Sequence, residues 1–189
     1  MTVGELLARI DSGPVSVTFD TNFLRARASF ASLSRVSQKI RQANSVLAPN
    51  ATEPPIQIRI SALVHEERVY QLRRQRAKLG LPFRSEVIDE FLEQLGFKIE
   101  EFTRADAEGS AEHLFARFAD DASWKAAKKS KGSKSATIDW LIAGHAVTRK
   151  WLVVTNDGGP EWTGVAKVSR SVWDEALDYI VGTTFAPTM

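Results

Sequence analysis

The sequence predicts an α/β fold, a three-layer domain with a mostly parallel central sheet and helices on both faces. Short apolar runs rich in β-branched residues, such as Val15–Phe19 and Ile56–Ile60, recur along the chain. Segments with helical spacing separate them, and strands that alternate with helices pair in parallel under helical cover. Acidic residues also stand at strand ends, where open sheets of this kind bind their ligands.

Residues 3–10 have the spacing of a short amphipathic helix, ended by Ser12-Gly13-Pro14. Val15–Phe19 reads as a buried strand. From Phe23 to about Leu47 the pattern is helical, with Phe30, Leu33, Val36 and Ile40 near helical intervals. Pro49-Asn50 and Pro54-Pro55 mark a loop before the second strand, Ile56–Ile60. Ser61 is placed to cap a helix that runs to about Leu79 and closes at Gly80 and Pro82. A helix over Glu86–Leu95, a strand over Phe97–Phe102 and a helix from Ala105 to about Ala119 follow, the last capped by Thr103. Lys125–Lys134, rich in lysine and serine with Gly132, reads as a mobile loop. Thr137–Thr148 is a helix bearing the small residues Ala143, Gly144 and Ala146. Trp151–Thr155 is a strand, Val165–Ser169 a last one, and Val172–Ile180 a terminal helix.

A chain of 189 residues suits one domain, here 1–189 with a short helical extension at 1–13. Hydrophobic residues at 43% and charged residues at 25% are those of a globular protein, not a disordered one. With no cysteine, the chain has no disulfide, thiolate metal site or cysteine nucleophile. The start lacks the basic and apolar regions of a signal peptide, and no apolar run approaches the roughly 20 residues that span a bilayer, so a cytoplasmic protein is expected. Net charge is only +2, yet its distribution is uneven. Acids concentrate in Glu86–Glu108, and bases in Arg68–Lys78 and Lys125–Lys134. Separated basic stripes can contact phosphates; each alone also fits a solvated face.

Four acids carry the chemistry. Asp20 follows the first strand. Glu67 lies just past the second. Asp139 sits among Ile138, Leu141 and Ile142, and Asp157 ends Leu152-Val-Val-Thr155-Asn156. Singly, each has a plain reading: Asp20 as a helix cap, Glu67 as a solvated residue, Asp157 as a turn former before Gly158-Gly159. An unpaired acid on an apolar helix, as at Asp139, is costly. Gathered, carboxylates repel one another and resist ionising together unless a cation joins them. An all-oxygen set suits Mg²⁺ or Mn²⁺ better than zinc. His65, His113 and His145 have no metal-ligand spacing, and Phe23, Trp124 and Trp162 read as core before they read as base-stacking platforms.

The ordered set Phe19-Asp20-Thr21-Asn22, Ser61-x-x-Val64-x-x-Glu67, Asp139-x-Leu141-Ile142-Ala143 and Leu152-Val-Val-Thr155-Asn156-Asp157 resembles the PIN-domain ribonucleases, and among them the VapC-type toxins of toxin–antitoxin pairs. The likeness runs from about residue 15 to 170. The chain departs from the small toxins in its longer N-terminus, its long first helical region and its lysine-rich segment. The resemblance implies a PIN-like, Rossmann-like fold and Mg²⁺- or Mn²⁺-dependent hydrolysis of RNA, leaving 5′-phosphate and 3′-hydroxyl ends. It implies Asp20, Glu67, Asp139 and Asp157 as catalytic metal ligands, with Thr21, Asn22 and Thr155 orienting them. Family spacing favours Glu67 over the adjacent Glu66. Asn156, Asp157 and Glu161 compete for the fourth place, which is given to Asp157. Lys125, Lys128, Lys129, Lys131 and Lys134, with Arg68 and Arg73, are the candidate RNA contacts. An antitoxin protein and a second copy of the chain are the implied partners, with no membrane. The alternative is a non-catalytic RNA- or protein-binding module on the same scaffold. A phosphotransferase with Asp20 as nucleophile ranks below both, because Asn22 stands where such enzymes carry a second Asp.

Overall fold

The computed structural model describes residues 1–26, 30–118, 120, 122, 124–126, 129 and 133–183. Five parallel strands form one sheet in the order β3-β2-β1-β4-β5. They are β1 Val15–Phe19, β2 Ile56–Ser61, β3 Lys98–Glu100, β4 Leu152–Val154 and β5 Lys167–Val168. The sheet was expected to be mostly parallel; every described pairing is parallel.

Local chemistry sets the helices. Helix α1 (Val3–Asp11) begins at a capping box in which Thr2 and Glu5 satisfy each other's backbone N–H groups. Its Leu6 and Ile10 are buried in the main core. Within the helical region expected from Phe23 to about Leu47, the described residues form α2 (Thr21–Ala26) and α3 (Phe30–Leu47), with 27–29 outside the described residues. Helix α4 (Ala62–Lys78) starts where β2 ends, with the Ser61 hydroxyl accepting from Leu63 N–H. It stops before Gly80, whose φ of +64° is the left-handed conformation that closes helices. Helix α5 (Glu86–Gln94) leads into β3, and α6 (Arg104–Phe115) opens with a second capping box, Thr103 with Asp106. Helix α7 (Ser133–Thr148) precedes β4, and α8 (Arg170–Gly182) closes the described chain. Helices α1 and α3 pack against α8, while α4 and α6 pack against α7.

The loop expected over Lys125–Lys134 lies partly outside the described residues, which leave out 127, 128 and 130–132; where the segment is described it differs. Residues 124–126 are helical, and Ser133 and Lys134 already belong to α7. The first turn of α7 is polar, so it carries no apolar period to announce it.

One buried polar knot ties α6, α7 and β2 together. Arg149 donates to both oxygens of Asp106, at 2.7 and 2.8 Å. Asp106 is 1% exposed, and its carboxyl is held far below the usual carboxylate range, chiefly by those Arg149 bonds. His145, fully buried on α7, meets the Ser61 hydroxyl at 2.9 Å, and burial lowers its pKa. Ser, His and Asp are thus neighbours, but all three are sealed from solvent and serve the core rather than catalysis.

The chain runs outward from β1 through β2 to β3, then returns to lay β4 on the other side of β1. That reversal makes the carboxyl ends of β1 and β4 a topological switch point, the place where open sheets of this kind bind ligands. Asp20 follows β1, and Asp157 lies three residues past β4.

Candidate metal centre

The β1–β4 register pairs Phe19 with Val154, so Asp20 falls beside Thr155. Asp20 N–H continues the ladder to the Val154 carbonyl at 3.4 Å. The carboxylate then divides its work. Oδ1 accepts the Phe23 N–H at 2.5 Å, capping α2, and Oδ2 accepts the Thr155 hydroxyl. The cap and the site are therefore one side chain. Asp20 is 4% exposed. Burial raises its pKa; Thr155, the Phe23 amide and Arg170 oppose that rise, and the charge of Asp157 adds to it.

Thr155 links the two strand ends. Its hydroxyl donates to Asp20 and accepts from Asp157 N–H at 2.9 Å. Asp157 in turn closes a tight turn by accepting the Gly159 N–H at 3.0 Å. Pro160–Trp162 form a short 3₁₀ turn, started by Pro160. That turn sinks Glu161 to 1% exposure, and His113 fixes it by hydrogen bonding the Glu161 carbonyl at 2.9 Å.

Asp139, on the second turn of α7, meets this loop. Oxygens of Asp139, Asp157 and Glu161 all lie within 4.8 Å of one another. Glu67 arrives from the other side on α4, which begins at the strand next to β1. The Thr21 hydroxyl donates to its Oε2 at 2.6 Å, and Gln71 Nε2 to its Oε1 at 3.2 Å. Glu66, one residue earlier and about 100° around the helix, has a side chain 77% exposed.

The four acids expected from sequence thus fall into two linked groups. Asp139 and Asp157 cluster tightly with Glu161, and Asp20 joins Asp157 through Thr155. Glu67 joins Asp20 only through the neighbouring Thr21. Asn22 is exposed, and Asn156 turns away, its side-chain oxygen accepting the Arg170 N–H at 3.0 Å.

Sequence reasoning missed Arg170 altogether. Its guanidinium lies 3.5 Å from Asp20 Oδ1 and 5.2 Å over the Phe23 ring. The only signal for it is Ser169, which caps α8 and so sets where that helix begins.

The donor set fits a hard divalent cation. It is all carboxylate, and ligand atoms of three of its members lie within 4.8 Å of one another. Asp139, Asp157 and Glu161 could hold such an ion, and Asp20 is tied to Asp157 through Thr155.

The phosphate-contact candidates are described only in part. Lys125 and Lys129 are exposed; Lys128 and Lys131, like the side chain of Lys134, lie outside the described residues. Arg68 is half-buried beside Leu24, Leu72 and Phe91, and Arg73 is exposed further along α4. Phe23 and Trp162 are buried, so neither offers a face to a base.

Fold and site together define a class: a parallel α/β domain that gathers carboxylates at its topological switch point, consistent with the PIN-like architecture the resemblance implies. No protein-family model matches the chain, and no curated protein matches it. Among solved structures it is similar to VapBC2 from Rickettsia felis bound to a DNA fragment from their promoter, at 18% identity and a TM-score of 0.48, over 82% of this chain and 98% of that one. It is also similar to VapBC-1 from nontypeable Haemophilus influenzae, at 14% identity and a TM-score of 0.45, over 82% and 98%.

Proposed function

We propose that this chain is a divalent-metal-dependent endoribonuclease of the PIN type, acting as the toxin of a toxin–antitoxin pair. The observation that carries the enzymatic reading is the convergence of Asp139, Asp157 and Glu161 within 4.8 Å, with buried Asp20 linked to Asp157 through Thr155. The toxin role rests on the sequence resemblance, as do the antitoxin partner and the homodimer.

When bound, Mg²⁺ or Mn²⁺ would polarise a phosphoryl oxygen and acidify bound water. The chain's own residues do the rest. Thr155 and the Phe23 amide fix both oxygens of Asp20. The Gly159 amide fixes Asp157, and the 3₁₀ turn holds Glu161. Thr21 and Gln71 hold Glu67, which places a carboxylate able to accept a proton beside Thr21, the residue after Asp20. Such prior positioning means the site need not reorganise during reaction.

Cleavage of a labelled RNA, with and without Mg²⁺ or Mn²⁺, tests this reading against Asp20→Asn and Asp139→Asn. Metal-dependent cleavage confined to the native protein is the result expected. Equal activity in all three proteins rejects the site; no cleavage by any of them, with Mn²⁺ still binding, leaves the binding module as the better reading.

A further inference from the structure

We infer that the exposed half of helix α4 is a track for single-stranded RNA that feeds the carboxylate site. The inference rests on the nuclease reading for its endpoint, but its own observations are independent of the acids. Residues 68–85 contain Arg68, Arg73, Arg74, Arg76, Lys78 and Arg84 and no acid, a charge of +6 in a chain whose net charge is +2. The remainder of the chain is therefore −4 (2 − 6). Such segregation on one projecting element is an electrostatic footprint for a polyanion.

The element projects. Every residue from 73 to 82 is exposed, so this half of α4 and its closing loop stand clear of the core. Arg76 Nε donates to the Pro82 carbonyl at 2.7 Å, folding the loop back onto the helix and holding the tip in shape. Among the described residues, no carboxylate pairs with Arg73, Arg74, Lys78 or Arg84.

Helical spacing joins this arm to the site. Glu67, Gln71, Arg74 and Lys78 stand at i, i+4, i+7 and i+11, which places them on one stripe. Arg74 and Lys78 follow Glu67 by about 10 and 16 Å along the axis. Tyr70 borders the stripe one turn past Glu67, is 60% exposed, and lies 5.7 Å from the Arg74 guanidinium. An exposed ring followed by two cations is the arrangement that stacks a base and grips the phosphates beyond it. An acidic protein could meet the cations but has no use for the ring beside them, and so ranks second.

The test measures binding of a labelled, unstructured 12-nucleotide RNA by fluorescence anisotropy in EDTA, where nothing is cleaved. Arg74→Glu with Lys78→Glu is expected to weaken binding at least tenfold and to flatten its salt dependence by about two ions. Tyr70→Ala is expected to weaken it about tenfold with the salt slope unchanged. Arg9→Glu, on α1, is the charge control. If the double variant melts early, Arg74→Gln with Lys78→Gln replaces it. With Mg²⁺ present, the arm variants should raise KM for the 12-mer and leave a dinucleotide unaffected. Unchanged affinity in the arm variants overturns the track even if cleavage persists. Weakened affinity without any metal-dependent cleavage keeps the track and removes the nuclease.

Discussion

The Thr21 hydroxyl donates a 2.6 Å hydrogen bond to Glu67 Oε2, joining the residue after Asp20 to the second turn of α4. The bond orders Glu67, whereas the neighbouring Glu66 has a side chain 77% exposed. It also means that α2 and α4 cannot shift independently without moving a site carboxylate. Glu67→Gln is expected to lower kcat by at least tenfold, Thr21→Val by less, and Glu66→Gln hardly at all. Steady-state kinetics on one RNA, with circular dichroism to confirm folding, check the order.

Metal binding should stabilise the fold more as pH rises. Burial raises the pKa of Asp20, so the folded chain holds a proton that the unfolded chain has released. For a raised carboxyl, metal-free stability declines as pH climbs from the unfolded value through the folded one. A divalent ion replaces that proton and cancels the penalty. The increase in Tm on adding Mn²⁺ should therefore be larger at pH 7.5 than near the unfolded carboxyl value, and nearly abolished in Asp139→Asn with Asp157→Asn. A thermal melt series shows this directly.

The Asp106–Arg149 pair should matter for stability and not for chemistry. Arg149→Ala leaves a carboxylate that is 1% exposed without its cation. Losing a partner in a buried pair costs about 3–5 kcal/mol; with the Arg149 side chain 37% exposed, about 2–3 kcal/mol is expected. Because Asp106 has a depressed pKa, the native protein's advantage is present above the unfolded carboxyl value and is lost as pH falls through the folded one. Urea melts at pH 7 should show the full difference between the two proteins, and melts in strong acid a smaller one.

Close approach of α6 and α7 gives a separate packing test. A Cβ on Gly144 would stand 2.4 Å from the Ser110 Cα, a backbone atom that cannot rotate aside. Gly144→Ala should cost about 1–3 kcal/mol despite alanine's better helix propensity. On α1, Gly4 has nothing within 4 Å of such a Cβ, so Gly4→Ala should be neutral or slightly stabilising. Chemical denaturation separates the two.

Strands with strong β-branched patterns were legible in the sequence, because Val15–Phe19 and Ile56–Ile60 announce burial directly. Their parallel pairing followed from the alternation with helices, whereas their order in the sheet did not. The start of α7 was not legible, since Ser133 to Ala136 carry no apolar period. At the site, Asp20 and Asp157 could be read from their places at strand ends. Glu161 could be read only as a rival for the fourth place, because its burial depends on a three-residue 3₁₀ turn. Arg170 left no trace in the local pattern. Its distance of 3.5 Å from Asp20 is created by tertiary packing across 150 residues.

The central claim is that widely separated acids form one divalent-ion site. An anomalous difference map from a crystal grown with Mn²⁺ tests it most directly. The account predicts a peak bounded by Asp139, Asp157, Glu161 and Asp20, absent in Asp139→Asn. A map with no peak there at saturating Mn²⁺, or with manganese bound only elsewhere on the surface, would contradict it.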